Sequence, residues 1–211
     1  MAQRDDQRRE THRLAVDGTQ SVQLSLLESQ SITIPEFAYW RDVVSREQES
    51  ELVEHFSSLD FKEFEFHGYL GHRRVVSFGL RYDFCDSKVY TAPEIPSFLL
   101  LLRGLAAEFA GIDAAALEHA LVTEYRPGAA IGWHRDRPIF KDVIGVSLWS
   151  SCRFRLRRKT GKSWQRQSLV LEPRSAYLLR GEVREAWEHS IPSAESLRYS
   201  VTFRSLRSST G

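Results

Sequence analysis

Cysteine is scarce in this chain, and it has neither a long apolar run nor a large net charge. Among 211 residues there are two cysteines, Cys85 and Cys152, too few for a disulfide framework, which indicates a reducing compartment. A formal net charge of +1 excludes an overall polycation, so any nucleic-acid surface must be local. No segment is apolar for long enough to predict a secretory signal or a membrane span. We therefore expect a cytoplasmic monomer with no membrane partner.

The order of the predicted elements indicates the fold class. Residues 1–28 are polar and charged and predict a flexible tail. Residues 29–211 predict a single domain, since 42% hydrophobic residues suffice for a substantial core. Helices come first, and from about residue 120 the chain is predicted to contain only short strands separated by Gly and Pro turns. This order predicts an α+β fold in which a jelly-roll half lies behind buttressing helices.

Local signals predict the elements of the first half. A short strand is expected at Ile32–Ile34. Ser45 and Gln48 have capping-box spacing, which predicts a helix from there to about Leu59. A second helix is predicted from Ser97 to Ala110, ending at Gly111. The last signal is Asp113, which would cap a short third helix running to His119.

His134 and Asp136 are two positions apart in a predicted strand. Residues i and i+2 of a strand project from the same face, so an imidazole and a carboxylate would point at one place. Such a pair occurs often enough by chance that a solvated surface pair is the alternative. His189, just before the last predicted strand, is the best candidate for a third ligand. Two His and one carboxylate would form the facial triad that suits non-heme Fe(II) oxygenases.

The last predicted strand, Arg198–Leu206, has two arginines on one face. Period-2 alternation places Arg198 and Arg204 together with Ser200 and Thr202. Arginines facing inward need a partner, and a dicarboxylate such as 2-oxoglutarate would supply it because guanidinium forks match carboxylates. The two Cα atoms are about 20 Å apart, so both side chains must lean together to hold one small molecule. Internal salt bridges to glutamates are the alternative.

A basic segment without acidic residues lies between Val143 and Leu171. Apolar residues alternate with arginines there, so one face of a predicted hairpin is basic while the other packs inward. Contact with nucleic-acid phosphates is the functional interpretation, and a solvated face is the alternative. The predicted contacts are Arg153, Arg155, Arg157, Arg158, Lys159 and Lys162, and Arg166 extends the same segment.

From Thr123 to Arg204 the chain resembles the AlkB-type family of Fe(II)- and 2-oxoglutarate-dependent dioxygenases that repair alkylated nucleic acids. The matching motifs are Tyr125-x-Pro127-Gly128, His134-x-Asp136, His189-x-Ile191-Pro192 and Arg198-x-x-x-Thr202-Phe203-Arg204. The resemblance implies a double-stranded β-helix core at about residues 120–207 and a nucleotide-recognition lid at about residues 60–90.

The same resemblance implies the cofactor and the cosubstrates. Fe(II) would be bound by His134, Asp136 and His189, and O2 and 2-oxoglutarate would be the cosubstrates. The side chains implied to bind 2-oxoglutarate are Tyr125, Arg198 and Arg204.

Three positions depart from the family's pattern. Thr123 and Ser200 stand where the family often has Asn, so we expect them to bind 2-oxoglutarate with fewer side-chain contacts or through a water. Pro138 stands where the best-known members have an acidic residue, two positions after the metal-binding Asp. Proline has no side-chain acceptor, so the base edge must be recognised in another way.

The activity implied by the resemblance is oxidative dealkylation of damaged bases. A base in a duplex must be flipped out or presented single-stranded, and we expect Phe84, Tyr82 and His134 to stack on it, with core packing the alternative for each aromatic. N-methyl and etheno adducts in single- or double-stranded DNA are the expected substrates, with RNA as a further partner. Two alternatives are a dioxygenase of the same fold acting on a modified tRNA base, a small molecule or a protein side chain, and a non-catalytic nucleic-acid-binding module with a structural metal.

Overall fold

The structure is a computed structural model that describes residues 33–66, 69–83 and 88–207. The predicted tail at residues 1–28, Cys85 and Phe84 lie outside the described residues. Contacts between Cα atoms group Ser31–Gly211 into one unit. Within the described ranges, no helix is both long and apolar enough to span a bilayer.

The first half holds the two longer helices and the second half holds most of the strands. The helices are α1 (Arg46–Ser57), α2 (Ser97–Ala110) and α3 (Gly181–Ala186), and a 3₁₀ turn spans Ala114–Ala116. The early strands are β1 (Phe37–Trp40), β2 (Lys62–Phe66), β3 (Tyr69–Phe78), β4 (Leu80–Asp83) and β5 (Lys88–Thr91). The later strands are β6 (His119–Tyr125), β7 (Ile131–His134), β8 (Phe140–Leu148), β9 (Cys152–Thr160), β10 (Ser163–Leu171), β11 (Ser175–Leu179), β12 (Glu188–Ile191) and β13 (Arg198–Leu206).

The start of α1 and the end of α2 follow the local signals that predict them. The Ser45 hydroxyl accepts the Gln48 backbone N–H at 3.2 Å, and the Gln48 side chain accepts the Ser45 N–H at 2.8 Å. This reciprocal pair satisfies two backbone donors at the start of α1. Helix α2 ends at Gly111, whose φ of 63° is in the left-handed region that glycine adopts without steric cost.

Three local predictions are wrong. Thr33 and Ile34 are not in a strand, because Pro35 and Glu36 form a turn, and the first strand begins only at Phe37. Asp113 caps a 3₁₀ turn and not a helix to His119, since His119 already begins β6. The second half is also not made of strands alone, because the short helix α3 lies between β11 and β12.

Two antiparallel sheets form the core. The larger has the strand order β1-β11-β8-β13-β6-β3-β2, and the smaller has the order β10-β9-β12-β7. One apolar cluster, which includes Phe154, Leu171 and Trp187, has members on strands of both sheets. A second cluster joins the other face of the larger sheet to α1 and α2. The predicted α+β class, with a double-stranded β-helix behind buttressing helices, is confirmed.

The predicted alternation along β13 is confirmed and positions the site. Tyr199, Val201 and Phe203 belong to the cluster that packs on the helices. Burying side chains of this size contributes about 1.5–3 kcal/mol each, and this fixes the face that β13 turns toward α1 and α2. Arg198 and Arg204 must therefore point from the opposite face into the space between the two sheets.

Candidate metal centre

The three predicted metal ligands come together between β7 and β12. His134 is the last residue of β7, Asp136 lies in the loop that follows, and His189 is the β12 residue paired with His134. One potential ligand atom from each lies within 4.8 Å of the other two. Asp136 Oδ2 is 3.5 Å from His189 Nε2, and the two imidazole centroids are 4.2 Å apart.

Both histidines are neutral and able to coordinate. His134 Nδ1 is 2.9 Å from the Gly132 carbonyl oxygen; because a carbonyl can only accept, Nδ1 carries the proton and Nε2 keeps its lone pair. Burial lowers the pKa of His134 below its usual value and lowers the pKa of His189 to about 3. At neutral pH both rings therefore offer a nitrogen lone pair to a metal.

Arg204 holds the carboxylate between the histidines. Its Nε and Nη2 are each 2.8 Å from Asp136 Oδ1. Burial alone would raise the pKa of Asp136, but the positive charge of Arg204 brings that pKa below its usual range. Arg204 Nη1 is 3.2 Å from His119 Nδ1, which must accept because arginine has no acceptor. Burial agrees with this by keeping the pKa of His119 well below its usual value.

The loop that carries Asp136 is braced from helix α3 and from the end of β13. The buried guanidinium of Arg184 donates to the carbonyl of Arg137 and, at 2.9 Å, to that of Phe140. Arg207 donates from Nε to the Pro138 carbonyl at 2.8 Å. These bonds fix the backbone on the C-terminal side of the ligand, which is how a loop residue can complete a metal site.

Arg198 is buried with part of its guanidinium unpartnered. It is 1% exposed, and its Nε and Nη2 share the Ser147 hydroxyl at 3.2 and 3.1 Å. Its Nη1 is buried and has no hydrogen-bond partner among the described residues. A buried charged donor without an acceptor costs more than the roughly 1–3 kcal/mol of a neutral one. An anion from outside the chain would remove that cost.

Three of the other predicted cosubstrate residues lie near Arg198, whereas Arg204 contacts Asp136 at the opposite end of β13. The guanidinium carbon of Arg198 lies 4.6 Å from the centroid of the Tyr125 ring. Ser200 donates to the Tyr125 hydroxyl at 3.4 Å and is paired across the sheet with the buried Thr123. All four side chains therefore face the same space between the sheets, since cross-strand partners share a face.

The chemistry of these groups fits the implied cofactor and cosubstrate. Two neutral imidazoles and one ionised carboxylate are the donor set of a non-heme Fe(II) site, with positions left for other ligands. The unpartnered donor of Arg198 fits one carboxylate of 2-oxoglutarate.

Two residues of this space were missed by sequence reasoning. Ser147 is the acceptor for Arg198, and the ring of Tyr177 lies over Gly145, where an added Cβ would be 2.3 Å from Tyr177 Cζ. Burial raises the pKa of Tyr177, and Arg198 and Asp136 are both within its electrostatic reach. The available signal was the small residues at alternating positions of β8, which leave room for large side chains opposite.

The predicted phosphate contacts lie on the β9–β10 hairpin but divide into two groups. Three have partners: Arg157 donates to Glu188 at 2.6 Å, Arg158 pairs with Glu182, and Arg155 donates to Ser190 at 3.0 Å. The guanidinium of Arg157 also lies between two indoles, 4.4 Å from Trp133 and 4.3 Å from Trp164. The exposed cations with no ion-pair partner in the described part of the chain are Arg153, Lys159, Lys162 and Arg166.

The predicted base-stacking residues are only partly described. Tyr82 is half-buried on β4, and the guanidinium carbon of Arg137 lies 4.9 Å from the centroid of its ring. Because Arg137 directly follows Asp136, Tyr82 lies beside the metal-ligand loop. Phe84 is outside the described residues, so stacking by these aromatics and by His134 stays a prediction.

Residues 36–204 match the sequence profile of the 2OG-Fe(II) oxygenase superfamily, and the chain belongs to this superfamily. A protein of Arabidopsis thaliana named "Alkylated DNA repair protein ALKBH8 homolog" is 29% identical over 198 residues, which cover 81% of this chain and 54% of that protein. The uncharacterised protein L905 of Acanthamoeba polyphaga mimivirus is 28% identical over 102 residues, 42% of this chain and 48% of L905. The chain spans about half the length of these curated relatives.

The solved structure of OsALKBH1 has the same fold. It superposes with a TM-score of 0.66 at 14% sequence identity, over 83% of this chain and 99% of that one. Together with the profile match, this confirms the predicted AlkB-type family and its use of Fe(II), 2-oxoglutarate and O2.

Proposed function

We propose that this protein is a dioxygenase that removes N-methyl and etheno adducts oxidatively from nucleic-acid bases, in DNA and also in RNA. The observation that carries the proposal is the unpartnered, buried Arg198 donor on the same inner surface as the cluster of His134, Asp136 and His189. A metal site alone could be structural. A metal site beside a buried guanidinium that lacks an acceptor is suited to bind a metal and an anionic cosubstrate together.

Each of these side chains has a definite task in such a reaction. Fe(II) bound here supplies O2 activation coupled to the decarboxylation of 2-oxoglutarate. His134 and His189 provide neutral nitrogen donors, while Arg204 keeps Asp136 ionised and oriented. Arg198 binds one carboxylate of 2-oxoglutarate and so fixes the position of its other end. Hydroxylation of an N-methyl group gives a hydroxymethyl base, which loses formaldehyde.

The surface of the hairpin supports a nucleic-acid substrate. Arg153, Lys159, Lys162 and Arg166 are exposed and have no ion-pair partner among the described residues, and cations of this kind can neutralise phosphates. Trp164 is also exposed, at 36%, and can stack on an unpaired base. The name of the Arabidopsis relative, an alkylated DNA repair protein, is consistent with such a substrate.

Pro138 supports activity on etheno adducts as well as on N-methyl bases. An acidic residue at this position would lose its partner when the exocyclic N–H of adenine is consumed by the etheno bridge, at about 1–3 kcal/mol or more. Proline makes no such contact, so the penalty is absent.

The decisive experiment uses iron-loaded protein, 2-oxoglutarate, O2 and modified oligonucleotides in single- and double-stranded DNA and in RNA. Base masses and succinate are measured together. We expect repaired bases and succinate in equal amounts. Succinate without any change of base mass would assign the dioxygenase chemistry to another substrate, such as a modified tRNA base or a protein side chain. No succinate with any substrate would support a binding module with a structural metal.

A further inference from the structure

Arg73 of β3 faces the space between the two sheets, although no sequence motif drew attention to it. It is the cross-strand partner of Tyr125, and antiparallel partners place their side chains on the same face of a sheet. Tyr125 packs under Arg198 and therefore faces the space between the sheets. Its neighbour Arg74 points the other way, where it forms a fork with Glu124 at 2.8 and 3.1 Å. Arg73 is thus the inward-facing member of the Arg73–Arg74 pair.

The guanidinium of Arg73 contacts an aromatic ring and no acidic side chain among the described residues. Its carbon lies 3.8 Å from the centroid of the Phe64 ring of β2, close enough for a cation–π contact. It has no hydrogen bond or ion pair with the described residues, although it is half-buried. Burial lowers the pKa of Arg73, and the carboxylate of Asp136 opposes that effect. The donors of Arg73 therefore lie in the space between the sheets, in the same cross-strand row as Tyr125 and Arg198, and they are available.

Neither the metal nor the dicarboxylate requires this third arginine. Asp136 is already neutralised by Arg204, and Arg198 offers the unpartnered donor for a carboxylate. Arg73 also lies on β3, within the region predicted to form the nucleotide-recognition lid, whereas Arg198 and Arg204 lie on β13. The bound group left as a partner for Arg73 is the target base.

We infer that Arg73 recognises the edge of the target base as a hydrogen-bond donor, so that the site prefers neutral lesions with an acceptor at that edge. This inference rests on the proposed function and specifies its substrate class. The preferred lesions are 3-methylthymine, 3-methyluracil and ethenoadenine. The disfavoured lesions are 1-methyladenine and 3-methylcytosine, which are cationic at neutral pH and present an amino group.

Two physical effects act in the same direction. A cationic base placed beside an arginine with no acid partner is repelled, and the repulsion is strong where water is excluded. An amino group and a guanidinium are both hydrogen-bond donors, so they cannot bond to each other. A carbonyl oxygen or an etheno nitrogen can accept a hydrogen bond from the guanidinium. Pro138 adds no acceptor that could compensate. A site built to bond a particular edge rejects analogues lacking that edge much more strongly than an apolar pocket does.

The test is a competition between matched lesions in one single-stranded sequence: 3-methylthymine against 3-methylcytosine, and ethenoadenine against 1-methyladenine. Wild-type protein should favour the first of each pair at least about tenfold in kcat/KM, the discrimination expected from one charged hydrogen bond. Arg73→Met should bring both ratios to within about threefold of unity. Arg73→Gln, which keeps a neutral donor, should retain part of the preference. Arg46→Gln removes one charge from the exposed start of α1 and should leave both ratios as in wild type.

A binding measurement without turnover separates this role from others. Anaerobic fluorescence anisotropy with the same oligonucleotides should show the same order of affinity, and the order should disappear in Arg73→Met. If Arg73 instead served the dicarboxylate, its variants would raise the 2-oxoglutarate requirement with every lesion and leave the ratios unchanged, which would overturn the inference. Faster repair of 1-methyladenine and 3-methylcytosine by wild type would also overturn it, while leaving the proposed function intact. Absence of repair with every lesion would instead count against the proposed function.

Discussion

The two ends of strand β13 carry the same residue type on the same face, but in opposite states. At one end, Arg204 directs two nitrogens at Asp136 and a third at His119. At the other end, Arg198 shares one serine hydroxyl and leaves Nη1 without a partner in the described part of the chain. A buried charge without a partner is costly. Arg204 has all its partners within the protein, whereas Arg198 needs an acceptor from a ligand.

The outer surface of the smaller sheet shows the same division among its cations. Arg157 is enclosed by Glu188 and two tryptophans, while Lys159 and Lys162, further along the same hairpin, are exposed without an ion-pair partner among the described residues. Counting basic residues therefore does not identify a binding surface. Whether each cation already has an acid beside it is the more informative property.

The largest expected effect comes from removing any one of the three proposed metal ligands. His134→Ala, Asp136→Ala or His189→Ala should each abolish turnover, because two remaining ligands do not hold Fe(II) in the required geometry. Iron content, succinate release and circular dichroism should show loss of the metal without loss of the fold. His55→Ala, on the exposed face of α1, is the matched control and should be unchanged. Iron-dependent turnover retained in any of the three variants would remove that residue from the metal site.

Arg198→Lys should have the next largest effect and act on the cosubstrate. An ammonium cannot reproduce the planar fork of a guanidinium, so we expect the 2-oxoglutarate concentration for half-maximal turnover to rise at least about tenfold. Iron affinity should be nearly unchanged, since Arg198 contacts none of the metal ligands. An unaltered 2-oxoglutarate titration would show that the unpartnered donor serves another purpose.

Arg204→Lys should affect the metal more than Arg198→Lys does. Losing the fork that orients Asp136 resembles the loss of an outer-shell partner, which typically costs about 10–100-fold in metal affinity. Isothermal titration with Mn²⁺ or Co²⁺ under anaerobic conditions measures this directly. If the variant binds metal as tightly as wild type but requires more 2-oxoglutarate, Arg204 serves the dicarboxylate as well as Asp136, as the sequence motif implies.

The smallest effect is expected on the outer surface. Replacing Arg153, Lys159 and Lys162 together by Gln should weaken oligonucleotide binding for all sequences and flatten its logarithmic salt dependence by roughly three, about one for each phosphate that is no longer neutralised. Arg157→Gln should leave the salt dependence nearly unchanged and lower thermal stability, because it removes an ion pair and two ring interactions. A decrease of about one in Arg157→Gln, the same as the decrease for each residue of the triple variant, would mean that partnered and unpartnered cations bind phosphate alike.

Local patterns predicted most of the fold and the ligand triad. The capping box of Ser45, the glycine stop at Gly111 and the alternation along β13 depend only on neighbours in sequence, and each was predicted correctly. His134 and Asp136 were expected to share one face of a strand. In the structure, Asp136 lies beyond the end of β7. A hydrogen bond from Arg204, which is 68 positions away in sequence, holds Asp136 at the site.

What the sequence could not predict depends on distant partners. The segment from Val143 to Leu171 has no acidic residue of its own, and this is why its arginines were predicted to contact phosphates. Glu182 on α3 and Glu188 on β12 neutralise two of them from outside that segment. Arg73 was overlooked for the same reason, since its orientation follows from the register of β3 against β6. That register joins two segments distant in sequence, so no short stretch of the chain reveals it.

The position of the ligands along the chain also has a kinetic consequence. His134 and His189 become neighbours only when β12 pairs with β7, and β7 is a four-residue edge strand with β12 as its sheet neighbour. Contacts between such distant residues form late in folding, since a long loop must close before they bring any gain. Iron would therefore bind after β7 and β12 have paired, and it would hold the edge strand β7 to its neighbour. Loss of iron should first raise amide exchange in β7 and leave the helices protected.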